Sequence, residues 1–378
     1  MNDQTSPEDA GPAHTILVRH SGLGGRSDGR THYLVVVDGL EPGRRVELRE
    51  SALRIGRTEP CELVLPDPGI SRTHCRIENR FGEIVVTDLG STNGTFVDGR
   101  KVAGTTRLPV DSTLQVGEQV LRHEFRDRKE IEDSRELDRD LEKARLYVQS
   151  MLPEPWSSGP ILTEWMVLPS TQLGGDALGH HALDDQRYAL YLVDVSGHGA
   201  GAAMHTVSVM NVLRHHALPR IDFGEPAEVL QGLNAMFDMD QHGGMYFTIW
   251  YGVYDTRSRM LRYSSGGHHP AFLVPPARSE AIPLHTRNMA VGTFPGYEFK
   301  SGEIEVPPDY ALYLFSDGVF EIVTAEGNEW RLQEFLPLLL QPPAASMTEP
   351  RRLHEAVAKV SGRDGFDDDF SMLVARFQ

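Results

Sequence analysis

The segment YALYLVDVSGHGAGAAM, residues 188–204, is the most informative part of this sequence. Its first eight residues are almost all apolar, which predicts a buried strand over Tyr188–Val195. A glycine-rich turn follows, and the small residues after it predict a helix over 200–217. Asp194 stands near the end of the strand, where burial of an unpaired charge is costly. The segment therefore predicts a strand, a turn and a helix that present one carboxylate for a purpose other than packing.

Three further acidic residues stand in a similar context. Asp176 follows two glycines, Asp317 follows the apolar run ALYLFS, and Asp368 lies in a run of three aspartates before the last apolar segment. Taken singly, each such residue is more often an Asx turn or a helix cap than a ligand. Taken together, hard oxygen donors without a neighbouring Cys or HExxH motif indicate Mg²⁺ or Mn²⁺, and two ions about 4 Å apart would suit such a set.

Strands and helices are mixed around these acids, and strands outnumber helices. This irregular order favours an α+β fold with buried sheets over a doubly wound fold. The predicted strands cover 188–195, 248–254, 259–264, 271–274, 310–316 and 371–377, and the predicted helices cover 200–217, 226–239, 331–340 and 350–359.

The N-terminal third has a different pattern. Residues 1–13 are polar and predict a flexible tail, whereas residues 14–125 alternate short apolar runs with turn signals such as Asn93-Gly94. Many short strands at this spacing predict an all-β sandwich or barrel. The predicted strands cover 15–18, 33–37, 53–55, 62–65, 74–77, 84–87, 95–97 and 113–116.

Residues 126–155 connect the two regions. No Gly or Pro occurs from Arg126 to Leu152, and Pro153 then ends the predicted helix. Two interpretations remain open, namely a solvated linker helix that docks on one domain and a short coiled coil that joins two copies of the chain. Apolar residues recur at steps of four and three at Leu137, Leu141, Ala144, Val148 and Met151.

Composition and charge limit the classes of function. The formal net charge of the 378 residues is −17, of which −3 falls on residues 1–125 and −14 on the rest. Excess carboxylate argues against a nucleic-acid partner, because such binding depends on Lys and Arg that neutralise phosphates. Cys61 and Cys75 are too few for a disulfide framework, and no apolar run approaches the roughly 20 residues of a membrane helix. We therefore expect a cytoplasmic protein without a membrane partner.

Three motifs in the N-terminal region place phosphate-binding side chains at strand ends. They are LRIGR (53–57), SRTH (71–74) and DLGSTNGTFVDG (88–99), and their Arg, hydroxyl and amide groups suit a phosphate together with the peptide that carries it. In this order they closely resemble the forkhead-associated (FHA) domain, which implies an eleven-strand β-sandwich that binds phosphothreonine peptides. The resemblance implies a structural role for His74 and peptide-binding roles for Arg57, Ser71, Arg72, Thr92 and Asn93.

The C-terminal motifs carry a second resemblance. QLGGDAL, LVDVSGHGAGAAM, TIWYGVYD, YSSGGHHPAFL, LFSDGVFEI and DDDFSMLVAR match, in order, the SpoIIE/RsbU-type metal-dependent serine/threonine phosphatases of the PPM class over about residues 140–378. That family implies an αββα sandwich and two Mn²⁺ or Mg²⁺ ions that activate a water. Its substrates are phosphoserine or phosphothreonine on a partner protein, often an anti-sigma-factor antagonist.

The same resemblance implies a ligand set for the two ions. Asp194 would bridge both of them, Asp176 and the carbonyl of Val195 would bind one, and Asp317 and Asp368 would bind the other. The whole chain is then expected to comprise a tail (1–13), an FHA domain (14–125), a linker helix (126–155) and a phosphatase domain (156–378), with the FHA domain as a regulator.

One position departs from the family pattern. Gly179 stands where the motif GGDxxD usually has its second acid, and His180 and His181 follow it. Loss of that acid leaves open an alternative function, a catalytically inactive scaffold that binds phosphopeptides. His198 and His268 also lie in family motifs, and we assign them no chemistry.

Overall fold

The computed structural model describes residues 29–344, 346–362 and 365–378. The predicted tail over 1–13 and the predicted strand over 15–18 lie outside the described residues. The chain divides into two compact units, with the division between Glu136 and Leu137.

The first unit is a β-sandwich, as predicted. One sheet has the strand order β2-β1-β11-β10-β7-β8, and the other has the order β4-β3-β5-β6-β9. Alternate side chains of both sheets point into a shared core, where Val36 and Leu121 of the first sheet join Ile55 and Ile77 of the second. The strands are β1 (Arg30–Asp38), β2 (Arg45–Leu48), β3 (Leu53–Gly56), β4 (Leu63–Val64), β5 (Cys75–Arg80), β6 (Glu83–Asp88), β7 (Thr95–Val97), β8 (Arg100–Lys101), β9 (Thr105–Arg107), β10 (Thr113–Val116) and β11 (Gln119–Asp127).

Helix α1 (Arg128–Ser150) begins two residues later than predicted. Strand β11 stays paired with β1 as far as Asp127, which lies opposite Arg30, so the backbone before the helix belongs to the sheet. The Asp127 carboxylate then accepts a hydrogen bond from the Lys129 amide at 2.8 Å, which satisfies one of the free donors of the first helical turn.

The second unit has two five-stranded sheets with helices on their outer faces. Its strands are β12 (Ile161–Leu168), β13 (Asp176–Ala182), β14 (Arg187–Val195), β15 (Phe247–Asp255), β16 (Met260–Gly266), β17 (Ala271–Val274), β18 (Ile282–Leu284), β19 (Gly302–Glu305), β20 (Ala311–Phe315), β21 (Ile322–Val323), β22 (Glu329–Trp330) and β23 (Phe370–Phe377). Its helices are α2 (Ala200–Arg214), α3 (Pro226–Met236), a short 3₁₀ helix (Asp317–Val319), α4 (Leu332–Leu339) and α5 (Glu349–Ser361).

Three apolar cores define the order of the layers. The sheet β13-β14-β15-β16-β19 packs one face on α2 and α3 and the other face on the sheet β12-β23-β20-β17-β18, whose outer face carries α4 and α5. Leu192 and Leu373 meet between the sheets, Val193 packs toward α2, and Val374 packs toward α5. This αββα arrangement confirms the predicted α+β class.

The prediction from sequence omits β2, β8, β9 and β11 in the first unit, and β12, β13, β18, β19, β21 and β22 in the second. Strand β13 reads DALGHHA, and its Gly and two His interrupt the apolar run that would have indicated a buried strand. The predicted helices over 200–217 and 226–239 end earlier, at Arg214 and Met236, and their last residues form turns. In the described part of the chain no helix is both long and apolar enough to cross a membrane.

Candidate functional sites

Two of the predicted metal ligands face each other across a pair of strands. Asp176 begins β13 and lies directly opposite Asp194 near the end of β14. Leu178 and Leu192, two residues away along each strand, point into the core between the sheets. Because side chains alternate along a strand, both carboxylates point to the same gap between the sheets.

A cavity of about 430 Å³ opens at this end of the sandwich. It is lined by four of the five predicted ligands, together with polar residues of the surrounding loops. Asp176 is the exception, because it lies behind the cavity wall and is only 6% exposed. The lining residues are Ser170, Thr171, Asp194, Val195, Ser196, Gly197, His198, Tyr246, Thr248, Asp317, Asp367 and Asp368.

Three carboxylates in this region have raised pKa values. Burial and the charges of Asp317 and Asp368 raise the pKa of Asp194 to about 7. Burial and the charge of Asp368 raise the pKa of Asp317 to about 6. Burial and the charge of Asp194 raise the pKa of Asp176 well above its usual range. A cation would remove this repulsion, and carboxylate oxygens are the donors that Mg²⁺ and Mn²⁺ prefer.

A buried oxygen also lacks a partner here. The Oδ2 atom of Asp176 makes no hydrogen bond, and such an atom in a protein interior calls for an explanation. Among the residues that the structure describes, no three His, Cys, Asp or Glu side chains are already gathered tightly enough to hold one ion. The donor chemistry therefore fits a divalent cation, although the carboxylates do not form a tight cluster in the described part of the chain.

Asp369 holds the loop that leads to Asp176, and sequence reasoning missed it. Its Oδ1 accepts hydrogen bonds from the amide and the hydroxyl of Ser170, at 2.7 and 3.0 Å. Its Oδ2 accepts from the amides of Gly175 and Asp176, at 2.7 and 3.3 Å. A Cβ at Gly174 would lie 2.3 Å from the same Oδ2, so only glycine fits there. Because Asp369 is one of three consecutive aspartates, the sequence does not distinguish its structural role from the role of its neighbours.

Gly175 and Val195 lie close together beside the two acids. The Val195 amide donates to the Gly175 carbonyl at 3.3 Å, and a Cβ at Gly175 would lie 2.7 Å from the Val195 carbonyl oxygen. This contact explains the second glycine of the motif, since any side chain would push away the carbonyl that is predicted to bind a metal.

His268 is a buried, neutral side chain that orients Thr248. Its Nε2 lies 3.1 Å from the carbonyl oxygen of Phe315, which can only accept, so Nε2 carries the proton. Burial lowers the pKa of His268 well below its usual value, and the ring therefore has a lone pair on Nδ1. The Thr248 hydroxyl, 2.8 Å away, donates to that lone pair. His198 is exposed on the cavity rim.

Gly179 lies on the opposite face of β13 from Asp176. Its neighbour Ala177 packs toward α2, and a Cβ at Gly179 would lie 2.2 Å from the ring of Tyr191 on that same side. A carboxylate at this position would point away from Asp194 and toward the helices. The lack of an acid at position 179 therefore removes no carboxylate from the group that lies between the sheets.

In the first unit, the predicted phosphopeptide residues meet where three loops come together. The Arg57 amide donates to the Ser71 carbonyl at 3.0 Å, and the Thr92 amide donates to the Ser71 hydroxyl at 3.1 Å. The Asn93 side-chain amide donates to the Gly69 carbonyl at 2.8 Å. These bonds bring Arg57, Ser71, Thr92 and Asn93 to one end of the sandwich.

His74 joins two of these loops from inside the sandwich. It is fully buried, and its Nε2 donates to the Gly94 carbonyl at 3.1 Å while its Nδ1 accepts from the Ser71 amide at 3.1 Å. Asp88, which the motif analysis did not single out, accepts from the hydroxyls of Ser91 and Thr95, each at 2.6 Å. The structural role expected for His74 thus has a defined geometry.

The two predicted phosphate-binding arginines are available for a ligand. Arg57 and Arg72 are exposed, and neither forms a salt bridge within the described parts of the chain. A Cβ at Gly56 would lie 2.1 Å from the Arg72 carbonyl oxygen, which explains the glycine before Arg57. Two guanidinium groups without a salt bridge, beside the Ser71 and Thr92 hydroxyls, suit a phosphate dianion.

Comparison with known proteins covers both units. A family model described as Stage II sporulation protein E (SpoIIE) matches residues 184–378, and an FHA domain model matches residues 53–117. The phosphoserine phosphatase RsbP of Bacillus subtilis is 27% identical over 187 residues, which is 48% of this chain and 45% of RsbP. The chain thus spans less than half the length of that relative.

Two further similarities concern the individual units. The FHA domain-containing protein FhaB of Mycobacterium tuberculosis is 38% identical over 109 residues, 28% of this chain and 69% of FhaB. The solved SiaA-PP2C domain of Pseudomonas aeruginosa matches with a TM-score of 0.54 at 18% identity, over 65% of this chain and 99% of that domain. The first identifies an FHA domain, and the second supports the fold of the second unit.

The predicted combination of an FHA domain with a SpoIIE-type phosphatase domain is confirmed. The FHA match falls within the β-sandwich, and the other match covers the two-sheet αββα unit from Asp184 onward, with Asp194, Asp317 and Asp368, but not β12, β13 and Asp176. Since the second match covers more than half of the sequence, the chain belongs to the SpoIIE family.

Proposed function

We propose that this chain hydrolyses phosphoserine or phosphothreonine on a partner protein with the help of divalent cations. The observation that supports this most is the meeting of Asp194, Asp317 and Asp368 at one cavity between the two sheets. SpoIIE-type phosphatases are metal-dependent, and the relative RsbP is named a phosphoserine phosphatase.

In this proposal the acids hold two Mn²⁺ or Mg²⁺ ions. The residues that would hold them are Asp194, Asp176 with the Val195 carbonyl, and Asp317 with Asp368. The partnerless Oδ2 of Asp176 and the raised pKa values of Asp194 and Asp317 support these roles. The bound cations supply an activated water and neutralise charge on the phosphoryl oxygens.

The chain's own side chains prepare this site. Asp369 fixes the loop at Asp176 through hydrogen bonds to Ser170 and Gly175, so one proposed ligand is held before any cation arrives. The hydroxyl of Thr248 donates its proton to His268. The lone pairs of the Thr248 oxygen are then available on the cavity side. The described cavity lining contains no Lys or Arg, so substrate phosphate would depend on the cations for its counter-charge.

We further propose that the FHA domain binds a phosphothreonine protein. Arg57, Ser71 and Arg72 would contact the phosphate, while Thr92 and Asn93 position the loop and the peptide backbone. The absence of acidic partners for both arginines in the described chain supports this. Binding there would bring substrates to the phosphatase domain or regulate it.

A homodimer through α1 stays a prediction from the sequence. Of the predicted seam, Leu137 is 59% exposed, whereas Met151 is buried in the core of the second unit. The cytoplasmic location and an anti-sigma-factor antagonist as substrate also stay predictions from the sequence.

The deciding experiment measures phosphate release from a phosphoserine peptide with and without Mn²⁺. The full chain should release phosphate in the presence of Mn²⁺, and this release should cease when the ion is chelated. The Asp194→Asn variant should release no phosphate under either condition. The exposed substitution Asp185→Asn is the matched control, and it should retain full activity. Turnover that survives Asp194→Asn would contradict the proposed site.

The same experiment tests the alternative scaffold. If no metal supports turnover while the FHA domain still binds a phosphothreonine peptide, the chain is a phosphopeptide-binding scaffold. The position of Gly179, on the far face of β13, removes the sequence observation that had favoured this alternative.

A further inference from the structure

A second cavity, of about 410 Å³, lies along the edge strand β13 at a distance from the acids. Its volume falls within the usual range of small-molecule sites. The residues that line it are Met151, Pro153, Glu154, Trp156, Gly179, His180, His181, Ala182, Tyr188, Tyr191, Met210 and Arg214. None of them lines the acidic cavity, so the two cavities are separate.

Gly179 is what gives this cavity its shape. The ring of Tyr191 crosses the position that a side chain at Gly179 would occupy, with 2.2 Å between the Tyr191 Cζ atom and the position of a Cβ. A larger residue would displace Tyr191, which is only 2% exposed, from the cavity wall. The residue that looked like a lost metal ligand thus belongs to a different site.

The walls are mostly aromatic and sulfur-containing. Trp156 packs on His180 with ring centroids 4.2 Å apart, and Tyr188 meets Trp156 edge-on at 5.5 Å. Met151 and Met210 line the cavity with Tyr191 and belong to the core on the helix side of the sheet. Such surfaces favour a flat, apolar ligand, because planar rings and thioethers pack well against aromatic groups.

Two polar side chains at the cavity lack partners. His180 is 5% exposed, and although its Nε2 lies 3.1 Å from the Thr163 hydroxyl, its Nδ1 has no hydrogen bond. The hydroxyl of Tyr191 makes no hydrogen bond to a described residue, and it is not one of the fully buried polar atoms. A ligand with its own polar atoms would give this hydroxyl a partner.

The charge at the cavity mouth is positive. Arg214 forms one long hydrogen bond, 3.5 Å to the Met151 carbonyl, and no salt bridge among the described residues. His181 stands beside it, with its Nε2 at 3.0 Å from that of His216. Glu154 is the one acidic residue in the lining. An unpaired guanidinium beside an apolar slot suits a carboxylate more than a cation.

We infer that this cavity binds a small planar aromatic carboxylate, with its ring against Tyr191 and Met210 and its carboxylate on Arg214, on the helix side of the sheet. A metal site is the poorer interpretation, because the His181 and His216 pair has no third ligand in the described chain. The inference does not depend on the phosphatase proposal.

The test uses 2-naphthoate and its neutral counterpart 2-naphthamide as probes, titrated calorimetrically into the full chain. We expect one saturable site that prefers 2-naphthoate by about tenfold, the scale of one charge-assisted contact. Arg214→Gln should abolish this preference and keep the binding of 2-naphthamide. Arg220→Gln, an exposed arginine that does not line the cavity, should change neither affinity.

Two results would overturn the inference. One is the absence of saturable binding of both probes at millimolar concentration, and the other is an unchanged preference in Arg214→Gln. Tyr191→Phe gives a second readout that leaves the packing intact, because it removes only the hydroxyl. The variant should bind both probes more weakly than the natural chain does. If the variant and the natural chain had the same affinities, the ligand would lie elsewhere.

Discussion

The carboxylate of Asp369 accepts a hydrogen bond at 2.7 Å from the amide of Gly175, which lies 194 residues earlier in the chain. This contact joins the start of β23 to the start of β13, and so brings the last acidic run to the loop that carries Asp176. The geometry of the proposed metal site therefore depends on a residue that is not itself a proposed ligand.

Asp369→Asn should destabilise the second unit and loosen Asp176. In the variant, a side-chain NH₂ group would replace one oxygen and face a backbone N–H, so that hydrogen bond is lost. The loss of a hydrogen bond to a buried charge lowers the free energy of unfolding by about 2–3 kcal/mol. Urea unfolding of the second unit measures this cost. Asp185→Asn is the exposed control and should shift the midpoint little. An unchanged midpoint for Asp369→Asn would show that the loop is held by other contacts.

Added Mn²⁺ should stabilise the natural chain against heat. Asp194 and Asp317 have raised pKa values because they are buried beside other carboxylates, and a cation that binds only the folded state removes that repulsion. The melting temperature should rise with Mn²⁺ concentration in the natural chain and stay constant in Asp194→Asn. An equal rise in both proteins would place the ion outside the cavity.

Thr248→Val should cost about 1–3 kcal/mol of unfolding free energy, because the buried Nδ1 of His268 loses its donor. Thr248→Ser keeps a hydroxyl and should lie much closer to the natural chain. Urea unfolding of the two variants side by side separates the hydrogen bond from the shape of the side chain. If Val and Ser were equally stable, this hydrogen bond would contribute nothing to the stability of the second unit.

Arg57→Ala should weaken binding of a phosphothreonine peptide to the FHA domain by tenfold or more, about 1.4 kcal/mol or greater. The unphosphorylated peptide should bind neither protein. Arg107→Ala is a suitable control, because Arg107 is exposed and pairs with Glu83 away from the three loops. Calorimetric titration of the full chain gives both affinities, and a loss of similar size in the control would mean that overall charge attracts the peptide.

Glu349 should make the second unit sensitive to acid. Burial alone would raise its pKa, but Arg352 and Arg278 outweigh burial and hold the pKa below its usual value. The ionised carboxylate therefore contributes stability that is complete above about pH 4.5 and is lost as the pH falls through the lowered pKa.

The substitution Glu349→Gln isolates this effect. The variant should be less stable at pH 7, by about 3–5 kcal/mol, because two buried arginines lose their counter-charge. Its stability should fall less steeply than that of the natural chain below pH 4.5. Glu355→Gln, on an exposed pair with Arg351, should follow the natural chain at every pH. Parallel curves for Glu349→Gln and the natural chain would rule out this source of acid sensitivity.

Sequence reasoning singled out Asp194 and Asp317 because a carboxylate at the end of an apolar run is easily recognised, and Asp368 because it lies in an acidic run before the last strand. It did not identify Asp369, since neighbouring acids in one run look alike until a fold shows which of them is buried. It also omitted β13, because the two histidines and the glycine of that strand serve a cavity rather than a core. The loops of the FHA domain were predicted well, since their turn residues are specific.

The alternation of side chains along β13 has a practical consequence for sorting sequences into active and inactive enzymes. Steps of two from Asp176 reach Leu178 and His180, and never Gly179. A classifier that counts every acid of a motif as a ligand would discard this chain for a residue on the wrong side of the strand. A substitution in such a motif is better judged by how many positions it lies from a known ligand on the same strand. An even number places it on the ligand's face, and an odd number places it on the opposite face.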